Sequence, residues 1–419
     1  MSSTPTTANA SSLPSAGRGT TFGKRSLIVG VVALILSAVG FFLSPHTVAS
    51  SWLLAVIFWT SMAIGMLFLI MIHHIFDAGW STVLRRPLEH AVSVFPWLAA
   101  LFFPLVALSV LYDPSLLWKW MDPSYDLSTI GGHGTIGDDV LWAKKSGYLS
   151  QTFFTVRYVF YFGAFTLLAS RFRYHSFAQD QDGEAAHTHS MRKWAAFGIP
   201  LTALCATFAS IDWIKSLDYH WFSTMFGVWF FASSMRIALA GTVLISLLLV
   251  KQGMFKGILS QAHLYDLGKI MLAFTVFWGY ISFSQYFLIW NANIPEETFW
   301  YVLREGGNWW YVGLFLIFGH FLFPFLYLLG YRNKILYGRI AFISAWFLLA
   351  QLVDFYYNIM PYKKDELGGS LPFSVSVWDI TSLVAVGGIC AWVFTNSLGR
   401  TRSIPVRDPR ILESVHHHE

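Results

Sequence analysis

Residues 210–227, SIDWIKSLDYHWFSTMFG, interrupt a chain that otherwise runs as a series of apolar segments, five before this stretch and five after it. Within nine positions it carries Asp212, Lys215, Asp218 and His220, interleaved with Trp213, Tyr219 and Trp221. Aromatic side chains favour the headgroup level of a bilayer, so the stretch reads as the mouth between two membrane helices. Asp212 and Lys215 stand three apart, as do Lys215 and Asp218, so a helical turn would set all three on one face as a linked set. A polar loop outside the membrane would carry the same residues with no further meaning.

Composition agrees with that frame. Hydrophobic residues make up 55% of the chain and charged residues only 12%, about half the charged fraction usual in soluble domains. An all-α integral membrane protein with about ten transmembrane helices is therefore expected, the spans lying near 26–43, 51–75, 90–111, 148–170, 194–211, 225–250, 266–290, 309–328, 338–358 and 375–395. The net charge of +5 is modest and dispersed, so the partners expected are lipid and protein and no nucleic acid. Cys205 and Cys390 lie far apart in apolar spans, with no C-x-x-C. That pattern argues against a disulfide, an iron–sulfur cluster or a zinc site.

Residues 1–25 read as a disordered cytoplasmic tail, 26–396 as the ten-helix domain and 397–419 as a second cytoplasmic tail. The polar tail before the first apolar run is long for a secretory leader, so that run is read as a membrane helix. Orientation follows from the cations. One alternating set of tails and loops holds Arg18, Lys24 and Arg25, then Arg85-Arg86, Arg171, Arg173, Arg192 and Lys193, Lys251 and Lys256, Arg332, Lys334 and Arg339, and Arg400 to Arg410; the other holds Lys119, Lys144, Lys145, Lys215, Arg304, Lys363 and Lys364. The richer set marks the cytoplasm and places both termini there.

Several stretches invite specific readings. Pro96, Pro104, Pro200 and Pro324 would kink their spans, features more often of packing than of sites. Gly132, Gly134 and Gly137 match G-x-G-x-x-G, but no strand precedes them, so no nucleotide site is expected. Trp118, Trp120 and Trp142 in the same outer loop read as a surface for a partner or for the membrane. In NIPEETFWY, Asn293 is expected to cap a short interfacial helix that begins near Pro295. The inner segment 179–189 reads as a mobile polar loop, and the final histidines as a solvated end. His73 and His74 are adjacent and are not expected to face inward together, and without paired histidines along the helices no haem site is expected.

The remaining signal is charge within the spans. His73, Asp77, Glu89, His90, Asp266 and Lys269 fall toward the cytoplasm, Arg157, Arg236 and His320 near the middle, and Asp212, Asp218, His220, Asp354 and Asp379 toward the outside. A charge at a helix centre costs about 2.5–3.5 kcal/mol on insertion scales, so such residues face the bundle interior. The distribution reads either as a ladder for protons or as ion pairing that fixes helix registry.

GWSTVLRRP at 79–87, DWIKSLDYHWFSTMFG at 212–227 and DLGKIMLAFTVFWGYISFSQYFLIWNANIPEETFWY at 266–301 together resemble the NrfD-like (polysulfide-reductase-like) membrane subunits of alternative complex III, the bacterial quinol:cytochrome c oxidoreductase. The likeness is to the second such subunit, often called ActF, and spans roughly 26–396. The resemblance implies two four-helix bundles plus two further helices, no catalytic residues and no cofactor in this chain. It implies haem c and iron–sulfur clusters in partner subunits and quinol in the paralogous NrfD-like subunit. The implied partners are that quinol-binding subunit, an iron–sulfur subunit, multihaem cytochrome c subunits and small membrane subunits. Polar residues of the bundles would then contribute to proton translocation. The alternatives are that this chain is itself the quinol-binding subunit, with His220 or Asp212 accepting protons, or that it is a secondary transporter.

Overall fold

The computed structural model describes residues 19–130, 132–362 and 371–417. Arg18, Gly131, Lys363, Lys364, His418 and Glu419 lie outside the described residues, as does most of the expected N-terminal tail.

With the face where the first span begins and the last ends termed inner and the opposite face outer, ten helices among the described residues are long and apolar enough to cross a membrane. They are α1 (Gly19–Leu43), α2 (Pro45–Phe76), a bent third span built from α3 (Thr82–Ala91) and α4 (Phe95–Leu111) and, past a short outer helix α5 (Val140–Lys145), α6 (Gln151–Asp182), α7 (Ala185–Trp213), α8 (Phe226–Lys251) and α9 (Gln261–Ala292). The outer helix α10 (Pro295–Glu305) leads into a broken span of α11 (Trp309–Phe315), a π-helical turn (Leu316–Leu322) and α12 (Phe323–Leu329). The short inner helix α13 (Tyr331–Ile335), α14 (Tyr337–Ile359), α15 (Val377–Leu398) and α16 (Ile411–Val415) complete the chain.

Packing closes two rings. In the first, α2 meets α4 and α7 while α6 meets α4 and α7; in the second, α8 meets α9 and α14 while the broken span closes the gap between them. Helices α1 and α15 pack on each other and against α2. Small residues permit the closest approaches, as is usual where lipid removes the hydrophobic drive between helices. A Cβ on Gly65 would lie 2.2 Å from the Ser234 carbonyl oxygen, so this glycine sets the spacing of α2 and α8 between the rings. Gly30 and Gly388 play the same part for α1 and α15, a Cβ on Gly388 falling 2.7 Å from the Gly30 Cα.

Helix α2 is covered on every side by α4, α7, α8 and α15. For that reason His73 and His74 are both buried, contrary to the expectation that only one would face inward. His73 shares a hydrogen bond with Ser81 (2.7 Å), and His74 stacks on Phe172 with ring centroids 5.6 Å apart.

The loops are more ordered than their composition implied. Helix α6 continues to Asp182 and α7 starts at Ala185, so most of the segment read as a mobile loop is helical, turning at Gly183 with φ +75°. Asn293 does not cap α10; it ends α9 in the left-handed region at φ 50°, and Ile294 precedes Pro295 at the start of α10. Trp118 and Trp120 are buried against Phe154, and Trp142 donates its indole N–H to the Trp120 carbonyl (3.1 Å), so these rings pin the outer loop instead of facing a partner. Residues 19–25, expected in a tail, begin α1.

Candidate functional site

Charged residues gather at three levels, and the two rings use them differently. At the outer end of the first ring, Arg157 clamps Asp212 with two hydrogen bonds (2.7 and 3.0 Å), and the Tyr161 hydroxyl donates to the same carboxylate (2.7 Å). The Arg157 guanidinium also donates to the Tyr148 carbonyl (2.9 Å) and covers the Tyr148 ring at 3.8 Å. Arg157 lies two turns from the start of α6, so it belongs to the outer level and not to the middle of its span. Asp212 turns to Arg157 at the end of α7, and Lys215 and Asp218 follow on a 3₁₀ turn, so the three do not share one α-helical turn, though both carboxylates act electrostatically on Lys215.

His220 pairs with Asp139 of the outer loop, and the Tyr219 hydroxyl donates to the same carboxylate (2.6 Å). Burial works against the ionised Asp139, yet the donors from Tyr219, His220 and the Leu141 N–H outweigh it and hold this carboxyl below its ordinary range. Lys145 donates to the Tyr219 carbonyl (2.6 Å) and is pulled down by burial. Asp379 takes the N3 position of a capping box at the start of α15 and accepts from Ser51 (2.6 Å), a helix-end role.

At the inner level, Arg85 and Arg86 are not loop cations. Both are fully buried: Arg85 pairs with Glu89 (2.9 Å) and Asp408 (2.6 Å), Arg86 with Glu89 (3.1 Å) and Asp180 (2.7 Å), and Ser176 donates to Glu89 (2.7 Å). His90 is buried beside Ser397 (2.9 Å). Asp77 pairs with Arg192 (2.7 Å) and with Arg410, while Asp266 pairs with Lys269 (2.6 Å) and His417 (2.7 Å). The C-terminal segment is therefore a strap across the inner ends of both rings, not a free tail. Ser414 fixes it further by donating to the Trp80 carbonyl (2.6 Å) and accepting from the Val83 N–H (3.2 Å).

At mid-depth the second ring carries a buried arginine and a buried histidine, and their placement is local in origin. Pro324 lacks the N–H that would bond the carbonyl four residues earlier, which belongs to His320. Arg236 of α8 supplies the missing donor, its Nη2 reaching that carbonyl at 2.9 Å while Nη1 contacts the His320 ring at 2.6 Å. The π-helical turn frees the Gly319 carbonyl, which accepts from the Trp346 indole (2.8 Å). From His320 the run continues through Gln351, whose Oε1 lies 3.2 Å from the His320 Nε2 and whose Nε2 donates to Asp354 (2.7 Å). Trp278 donates to the same carboxylate (3.0 Å), and Asn358 to its other oxygen (3.2 Å). Arg236, His320, Gln351 and Asp354 are each no more than 2% exposed.

Outward, Asn358 lines a crevice of about 10 Å³ together with Lys215, Asp218 and Arg304. That is room for one water. Arg304, read from sequence as a loop cation, is buried and donates to the carbonyls of Trp300 (2.8 Å), Tyr357 (2.9 Å) and Asn358 (3.2 Å). Burial lowers it to about 10 against the pull of Tyr357 and Asp218, so it stays cationic at neutral pH. Inward, the run stops: the Arg236 guanidinium rests on Phe347 at 4.7 Å, and Leu239, Val243, Met271, Leu328 and Ile343 form a fully buried apolar layer. The Ser246 and Ser344 hydroxyls are buried without a hydrogen-bond partner among the described residues.

Of the sequence candidates, the structure brings together Arg236, His320 and Asp354, Arg157 and Asp212, and Asp266 and Lys269; His73, Asp77, His220 and Asp379 each find other partners. Sequence reasoning missed Gln351 and Asn358. The signal was present, since Gln351, Asp354 and Asn358 fall at i, i+3 and i+7 of one helix. Among the described residues, no group of three or more His, Cys, Asp or Glu side chains is placed to hold a metal ion, and Cys205 and Cys390 are free and buried. In comparisons with known proteins, neither a family model nor a curated protein matches the chain.

Proposed function

We propose that this chain is an NrfD-like, cofactor-free membrane subunit of a bacterial quinol:acceptor oxidoreductase of the alternative complex III type. It lies in the inner membrane with both termini inside, and contributes the outer half of a proton path through its second ring. The observation that carries the proton reading is the run Arg236, His320, Gln351, Asp354, Asn358, which links mid-depth to the outer crevice. Histidine and carboxylate can exchange protons near neutral pH, and an amide between them can relay hydrogen bonding. Arginine cannot exchange, so Arg236 sets the potential at the inner end of the run. Asp212 is held in a direct ion pair by Arg157 with a further hydrogen bond from Tyr161, a closed arrangement that favours a structural role for it over a quinol-site role.

The subunit reading is supported by the quoted sequence stretches and tested by purification through this chain from native membranes. A second NrfD-like subunit, an iron–sulfur subunit and haem c absorption should co-purify. A chain that isolates alone at full yield would overturn it. For orientation, Ser128→Cys should label from outside in intact cells and Glu184→Cys should not; the reverse pattern would invert the topology.

A further inference from the structure

A groove of about 690 Å³ runs along the bilayer side of α6 in the first ring, from Tyr158 to Tyr174. Its outer end is tied to α4 by the Tyr158 hydroxyl, which donates to the Ala99 carbonyl (2.7 Å). Between its ends the groove is apolar and open to the bilayer: Val159 is 61% and Leu167 42% exposed. A Cβ on Gly163 would meet nothing within 4 Å, so this glycine leaves open space in the floor.

The inner end is polar. Ser170, Arg171 and Tyr174 line it, and their spacing sets them on one side of the helix. From Gln151 to Arg171 the helix rises about 30 Å, the thickness of a hydrocarbon core, so Arg171 reaches the headgroup level. Trp194 marks the same level, with the Arg171 guanidinium 5.4 Å from its ring. Neighbouring arginines are already engaged: Arg192 pairs with Asp77 (2.7 Å), and Arg173 donates to Ser397 (2.9 Å). Arg171 meets no carboxylate among the described residues, and no Asp or Glu lines the groove. An apolar groove that ends in an uncompensated cation fits an amphiphile with a negative head, and a guanidinium flanked by two hydroxyls suits a phosphate. From Arg171 to Gly163 is about 12 Å along the helix, within reach of an acyl chain that fills one leaflet. We infer that the groove binds an anionic phospholipid, one acyl chain lying along α6 to Gly163 and the phosphate meeting Arg171. The site belongs to this chain alone and stands independently of the subunit reading.

The test is native mass spectrometry of the full chain in detergent, titrated with phosphatidylglycerol, phosphatidylcholine and glycerol 3-phosphate. Saturable binding of phosphatidylglycerol is expected, with phosphatidylcholine weaker by about fivefold, the effect of one charge at a membrane surface. Arg171→Gln should weaken phosphatidylglycerol at least about tenfold through loss of a charge-assisted hydrogen bond. Gly163→Trp, which fills the floor without meeting a neighbouring helix, should weaken it severalfold. Lys256→Gln, an exposed inner cation away from the groove, should leave binding unchanged. Equal affinity for phosphatidylcholine, unchanged binding in Arg171→Gln or Gly163→Trp, or an equal loss in Lys256→Gln would each overturn the proposal. Displacement of the lipid by equimolar glycerol 3-phosphate would also overturn it and assign Arg171 to free phosphate. Absence of saturable phosphatidylglycerol binding would overturn it and leave the groove to a protein helix. The preference of the wild-type chain between the two lipids decides the question if either variant fails to fold.

Discussion

The two helical rings bury polar groups for opposite ends. In the first, cations meet carboxylates directly, Arg157 with Asp212 outside and Arg85 and Arg86 with Glu89, Asp180 and Asp408 inside. Such closed pairs fix registry, because each member is held by the charge of the other. In the second ring Arg236 does not touch a carboxylate; a histidine and a glutamine stand between it and Asp354. Interposed groups that can donate and accept leave protons a route that a direct ion pair closes. The difference is one of sequence order as well: the closed pairs sit at helix ends, whereas the open run is built where Pro324 and a π-helical turn expose backbone carbonyls at mid-depth.

The comparison breaks most readily in the first ring. Glu89→Ala leaves two fully buried arginines short of a partner and should cost about 3–5 kcal/mol, read as loss of folded protein or a large fall in Tm in detergent. A Tm near wild type would mean that these pairs do not hold the ring. Next in size is Gly65→Val, whose side chain would meet the Ser234 backbone and force α2 from α8; a cost of about 1–3 kcal/mol or more is expected for overpacking, again by thermal unfolding. Gln351→Leu should cost less, about 1–3 kcal/mol for unpaired buried groups, while the chain still folds and assembles. That result would separate the open run from the closed pairs. Smallest is Tyr219→Phe. Asp139 is held below its ordinary range in the folded chain, so its contribution is present above the ordinary carboxylate pKa and is lost as pH falls through the folded value. Removing the Tyr219 donor should lower Tm at neutral pH by the equivalent of less than ~1 kcal/mol, and the difference should vanish in acid.

Span number and the isolated charges were legible in the sequence because long apolar runs and rare intramembrane ions are strong signals. Pairing was not, since Arg157 and Asp212 are 55 residues apart and Asp408, which neutralises Arg85, comes from a segment that composition marks as a tail. Arg85, Arg86 and Arg304 read as loop cations because cation counting has no measure of burial; all three are at most 3% exposed. The mid-depth run was half visible. Arg236, His320 and Asp354 stand out by charge, whereas the amide of Gln351 that joins them stands out only by its helical spacing from Asp354.

The central claim is that the second ring conducts protons outward through His320 and Gln351. It is tested most directly by protons released per electron during quinol oxidation, measured in sealed vesicles that carry the assembled complex with His320→Phe or Gln351→Leu. The account predicts intact assembly, continued quinol oxidation and a reduced proton yield. An unchanged yield at wild-type turnover in both variants would contradict it.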